Sequence, residues 1–257
     1  IRDRYSYSDG DQWFEWSPDS KWILSEFIGI GGWNNKDIVL LNADGKGEMH
    51  NLTESGYSDG NAKWVLGGKA MVWFSDRAGY RSHGSWGAQY DAYIMFFDVD
   101  AYDRFRMNKE DLALLEEAEK AEKAEKEKAE KKKKEDKKGD KKKDAKGKKD
   151  GEEEKKEEVK PLKFDLDNRF DRIVRLTVNS SFMGDAVLTP KGDKLYYLAA
   201  FESGYDLWEH DLKENSTKIL LKGVGGGSLL PDKKGENIFM CTGGGMKKIE
   251  IAGSKTT

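Results

Sequence analysis

Four times along this chain a short run of aromatic and aliphatic residues meets a polar turn and then resumes: FEWSPDSKWILSEF, AKWVLGGKAMVWFS, AVLTPKGDKLYYLA and SLLPDKKGENIFMC. The turns are built from Pro18-Asp19-Ser20, Gly67-Gly68, Pro190-Lys191-Gly192 and Pro231-Asp232-Lys233-Lys234-Gly235. These residue types set or tolerate turn dihedrals. The flanking residues fit a pleated surface better than a helix, so each phrase predicts a β-hairpin. The shorter phrase YSDG also recurs, at Tyr7–Gly10 and Tyr57–Gly60, an interval of about one propeller blade.

Each hairpin is followed by a third strand: DIVLLN from Asp37, DAYIMFFD from Asp91, YDLWEHD from Tyr205 and MKKIEIA from Met246. EMHNLT and TKILLKG supply fourth strands to the first and third units, and FDRIVRLT, from Phe170 to Thr177, supplies one late to the second. Recurrent four-stranded units of this length are the signature of an all-β β-propeller, because a single blade cannot bury both of its faces. Four blades are visible, near the lower limit for a closed ring, so the expectation is part of a larger propeller. A β-sandwich is the rival, but it gives no reason for the recurrence.

Between the second unit's third and fourth strands runs a segment of Lys, Glu, Asp and Ala with no aromatic residue between Phe105 and Phe164. It cannot form a packed core. Asn108 before Asp111 predicts a helix start, and acid-before-base pairs such as Glu122 and Lys126 support a solvated helix. Past Gly139 the glycines recur and the helix should give way to a disordered loop. The domain expectation is therefore blades over 1–106, a charged insertion over 107–160 and blades again over 161–257. Acids interleave the lysines, and the formal net charge is only -3. Neither a nucleic-acid nor a membrane partner is expected.

Cys241 is the one cysteine, which excludes an internal disulfide and a cysteine-based zinc site. No apolar run approaches bilayer length, and the opening IRDRYSYSDG is too polar for a signal peptide. The start on Ile predicts a piece of a longer polypeptide. His50 and His210 read as strand residues. His83 lies in the loop DRAGYRSHGSWGAQ, where a peptide could meet Arg81 through a carboxylate and Trp86 through an apolar side chain. Arg77, Arg81, His83 and Trp86 are thus the candidate peptide-binding residues; the structural alternative has the arginines bonded to acids or carbonyls. No catalytic residue, metal or cofactor is expected: Gly84–Gly87 is not a nucleophile elbow, and the glycine-rich GVGGGS and FIGIGGW lack the helix that cradles phosphate.

SPDSKW resembles the propeller repeats of TolB-like and prolyl-oligopeptidase-like proteins. WFSDRAGYRSHGSWGAQYDAYIMFFD followed by AYDRFRMNKEDLALLEEAEK resembles the propeller region of tricorn-like serine peptidases, where a Lys/Glu-rich insertion also leaves the propeller. With YSDGDQWFEWSPDSKWI and SSFMGDAVLTPKGDKLYYLAAFESGYDLWEHDL the likeness covers most of the chain outside the insertion. It implies a non-catalytic module that filters or docks peptides for a protease core elsewhere in the same polypeptide. It also implies a homo-oligomer and a cytoplasmic setting, with a periplasmic one as runner-up. The alternative is a stand-alone TolB-like scaffold for protein–protein interaction.

Overall fold

The computed structural model describes residues 13–30, 32, 35–81, 87–138, 161–232, 235–243, 245–253 and 255–256. The chain divides into two compact units, Ile1–Phe105 with Lys160–Thr257, and Arg106–Val159.

Among its described residues the first unit carries sixteen strands in four antiparallel sheets, each a meander in chain order. The first sheet holds β1 (Phe14–Trp16), β2 (Trp22–Ile28), β3 (Lys36–Asn42) and β4 (His50–Asn51). The second holds β5 (Asp59–Val65), β6 (Ala70–Ser75), β7 (Asp91–Phe96) and β8 (Ile173–Arg175). The third holds β9 (Phe182–Leu188), β10 (Lys194–Ala200), β11 (Asp206–Asp211) and β12 (Ser216–Leu221). The fourth holds β13 (Gly227–Pro231), β14 (Asn237–Thr242), β15 (Gly245–Glu250) and β16 (Lys255–Thr256). The first YSDG lies outside the described residues; in the second, Asp59 and Gly60 open β5.

The hairpin turns repeat chemically as well as in sequence. Ser17, Thr189 and Asp232 occupy the same place, each donating its N–H to the carbonyl five residues on, at 2.8, 2.9 and 2.9 Å. Their side chains then accept from the returning strand: Ser17 Oγ from the Trp22 N–H, Thr189 Oγ1 from the Lys194 N–H and the Asp232 carboxylate from the Glu236 N–H. Three positions on, the backbone is left-handed, with φ of 58° at Ser20, 72° at Gly192 and 68° at Gly235. Glycine takes that conformation without steric cost.

A second repeated device sits at the head of the third strand. Asp37 accepts from Thr53 Oγ1 and the Ser55 N–H, while Thr53 Oγ1 accepts the Ile38 N–H. Asp91 does the same with Thr177 Oγ1, whose oxygen accepts the Ala92 N–H. Asp206 accepts the Gly223 N–H. Each aspartate thus ties the chain leaving the fourth strand back onto its own sheet.

The core is three apolar seams between successive sheets. Leu24, Ile38 and Leu40 of the first sheet meet Met71, Trp73, Tyr93 and Met95 of the second. The intervening residues Val72, Phe74, Ile94 and Phe96 point the other way, onto Ala186, Leu188, Leu195 and Tyr197. Val187, Tyr196, Leu198 and Leu207 then meet Leu229, Ile238, Met240 and Ile249. Successive strand residues face opposite sides, so a sheet covered on both faces must be apolar along its covered length, as β6 is over Ala70–Phe74 and β7 over Ala92–Phe96. A two-layer sandwich buries only one face per sheet; the second and third sheets here each carry a different neighbour on either face.

After β7 the chain forms α1 (Val99–Arg106), a helix not anticipated from the sequence. Asp98 Oδ1 accepts the Ala101 N–H at 2.7 Å and caps it. Tyr102 and Phe105 pack their rings 5.4 and 5.0 Å from that of Phe96, and Lys213 Nζ donates to the Phe105 carbonyl at 2.6 Å.

The second unit is described over α2 (Lys109–Lys138). Asn108 Oδ1 accepts the Asp111 N–H at 2.8 Å, and Lys126 pairs with Glu122 at 2.5 Å. The expected loop after Gly139 lies outside the described residues. No described helix is long and apolar enough to cross a membrane.

Candidate functional site: a cavity bordered by the four first strands

The first strands β1, β5, β9 and β13, with the turns that follow them, border one cavity of about 380 Å³. Its walls are largely apolar: Trp13, Trp64, Val65, Leu66, Val187, Leu188, Leu229 and Leu230 are among them. Glu15 and Lys63 bring charge to the lining, and Asp232 does so beside β13.

Backbone irregularity sets two of the polar groups. The register of β5 on β6 shifts between Gly60 and Lys63, with Asn61 left-handed at φ 53°. The register of β9 on β10 shifts beside Gly184, between Met183 and Asp185. Bulges re-aim the residue that follows them. Here those residues are Lys63 and Asp185, whose side chains form an ion pair between the second and third sheets. Asp185 also accepts the Ala186 N–H at 2.8 Å and the Leu229 N–H at 2.7 Å, linking the third sheet to the fourth. The Lys63 ammonium is thereby committed.

Glu15 is different. Its Oε2 accepts the Trp64 N–H at 3.2 Å, and its carbonyl accepts Trp64 Nε1 at 3.3 Å, which fixes β1 against β5. Burial pushes the Glu15 carboxyl up to about 7; the Trp64 N–H and Lys63 pull against that, and the charge on Asp185 adds to it. Asp232 behaves oppositely: the hydrogen bond from Asn237, with backbone N–H groups behind it, holds its carboxyl below the usual range.

Sequence reasoning missed Glu15, although a signal was present. Two residues before Ser17, Thr189 and Asp232 stand Glu15, Val187 and Leu230. A carboxylate thus occupies a position that is apolar in the third and fourth sheets.

The residues singled out from the sequence lie elsewhere. Arg77 donates to both oxygens of Asp59 at 3.2 and 3.3 Å and to Ser75 Oγ, with its guanidinium 5.0 Å from the centre of the Tyr93 ring. Arg81 pairs with Asp76 at 3.0 Å and lies 4.9 Å over Tyr57. Asp59 opens β5, so Arg77 sits at the opposite end of that strand from the cavity. His83 and Trp86 lie outside the described residues. His50 is in β4, and His210 is in β11 with Nδ1 2.7 Å from Thr217 Oγ1. Among the described residues no three His, Cys, Asp or Glu side chains converge as a metal site would require.

No protein-family model and no curated protein matches the sequence. Solved structures do match. TolB from Acinetobacter baumannii aligns with 96% of this chain and 42% of its own, at 16% identity and a TM-score of 0.52. The tricorn protease aligns with 95% of this chain and 21% of its own, at 9% identity and a TM-score of 0.53. The chain therefore spans less than half the length of either. At these identities the likeness speaks to fold: a mostly β protein whose four antiparallel sheets are propeller-like blades.

Proposed function

We propose that this chain is a non-catalytic propeller module that docks peptides in the cavity bordered by β1, β5, β9 and β13, on behalf of a tricorn-like serine peptidase centre carried elsewhere. The observation that carries this reading is the cavity itself. It is apolar-walled, it is bordered by all four sheets, and its charged groups have directional roles, which is how small-ligand sites combine affinity with orientation. The resemblance of the second strand repeat, from Trp73 to Asp98 and on into the insertion, to tricorn-like propellers supports the peptidase link. Exposed Phe14 and Trp16 on the first sheet, with Met246 on the fourth, support a ring that further blades would extend.

Filling the cavity tests the docking. Leu230→Trp should weaken binding of short apolar peptides at least tenfold by calorimetry, and unchanged affinity would refute the site. In the complete gene product the same substitution should raise KM for peptide cleavage and leave kcat alone. Absence of any peptidase activity there would leave the TolB-like scaffold as the better reading.

A further inference from the structure

We propose that the cavity recognises an unblocked amino terminus, with Glu15 as the counter-charge for the ligand's ammonium group and the surrounding Trp13, Trp64, Val187 and Leu230 as the seat for an apolar first side chain. This rests on the peptide-docking reading and specifies which end of the peptide enters.

The argument is one of charge accounting at a fixed place. Two charges act on Glu15 on β1, those of Lys63 on β5 and Asp185 on β9, and Asp232 beside β13 lines the same cavity. Lys63 is taken by Asp185. Asp232 is satisfied by Asn237 and the Glu236 N–H. Glu15 has one backbone donor, the Trp64 N–H, and no cation within ion-pair distance among the described residues. A carboxylate accepts at two oxygens and about four lone pairs, so capacity remains on the group that borders the cavity. A ligand ammonium brings three donors and the missing charge.

Chemistry also selects the ligand class. A free phosphate or peptide carboxylate would meet Glu15 and Asp232 in the lining, with the one ammonium there, Lys63, already neutralised by Asp185, and like charges repel it. A guanidinium fits the charge but leaves the apolar walls unused. An α-ammonium beside an aliphatic side chain uses both. The protonation state of Glu15 supplies an independent handle: burial keeps it neutral to about pH 7 when the cavity is empty, and a cation beside it stabilises the ionised form.

The experiment uses the full chain and the peptide Leu-Leu-Ala-Ala amide, with its amino terminus free or acetylated, titrated calorimetrically at pH 7.5. The free form should bind at least tenfold more tightly than the acetylated form. Glu15→Gln, shown folded by its thermal transition, should bind both forms within about twofold of each other, and wild type at pH 5.5 should also lose most of the preference. Equal affinity of the two forms for the wild type overturns the inference while leaving peptide docking intact. A preference that persists in folded Glu15→Gln overturns it as well. Failure of both peptides to bind at millimolar concentration removes the docking reading and the inference together.

Discussion

At the scale of single residues, the informative side chains are carboxylates that the fold has taken out of water. Asp37 is fully buried and accepts from the Ile30 N–H, Asn51 Nδ2, Thr53 Oγ1 and the Ser55 N–H. Removing an acceptor that serves several buried donors costs more than any one hydrogen bond, because each donor is left without a partner. Asp37→Ala should lower stability by about 3 kcal/mol in urea unfolding, whereas Thr53→Val, which removes one bridge, should cost about 1 kcal/mol. Glu15 makes the opposite prediction. Its folded-state carboxyl holds a proton to about pH 7, while the unfolded chain releases it near 4.5. Between those values the folded state binds more protons than the unfolded one, so stability falls as pH rises through the window and levels off above it. Glu15→Gln removes that fall. It should leave stability unchanged at pH 4 and raise it at pH 8 by about 1 kcal/mol, a figure reduced for the partial exposure of the group. A Gln variant whose pH profile kept the wild-type slope would mean that another acid is responsible.

At the scale of elements, the hairpin is the unit that the sequence specifies most completely, because its determinants are local. Ser17, Thr189 and Asp232 each close the turn from inside a six-residue stretch, and a left-handed residue follows at a fixed offset. Gly192→Ala should therefore cost about 1–2 kcal/mol. The left-handed backbone penalises a Cβ, and that Cβ would stand 3.3 Å from Leu66 Cδ2 in the adjacent sheet. Ser20→Gly, at the matching position, should be neutral or slightly stabilising in the same unfolding assay. Elements whose determinants are distributed were harder to read. α1 follows directly on the β7 segment, and its apolar side, Tyr102 and Phe105, acquires meaning only against Phe96. The pairing of Lys63 with Asp185 depends on two bulges in different sheets, which strand patterns do not announce. That Arg77 and Arg81 bond to acids is one of the two readings their sequence allows; which acids they meet is not legible, since Asp59 and Asp76 come from the start of one strand and just past the end of another. Glu15 was legible only as a departure from the aligned hairpins, and its consequence required four strands to meet.

At the scale of the whole molecule, the question is whether the charged insertion contributes to the blades. The apolar clusters between the sheets are built from residues outside 109–158, with Phe105 before the insertion and Phe164 after it packed against them. Leu162 N–H donates to Asp19 at 2.8 Å, and the Phe164 ring lies 5.1 Å from that of Trp22. A Cβ at Gly192 would stand 3.3 Å from Leu66 and 3.7 Å from Phe105, and one at Gly68 would run into Leu162, so Leu66 and Gly68 of one turn bring these two exits close together. Replacing residues 109–158 by a Gly/Ser linker of about 12 residues, whose mean span is about 20 Å, should therefore connect them without strain. Shortening a loop roughly fourfold recovers about 1 kcal/mol of closure entropy if the removed segment makes no compensating contacts. The expected result is a single cooperative calorimetric transition at the wild-type temperature or a few degrees above it, with the affinity for Leu-Leu-Ala-Ala amide unchanged. A transition lowered by ten degrees, or loss of peptide binding in a variant that melts normally, would show that the insertion belongs to the working surface of the blades and is more than a tolerated loop.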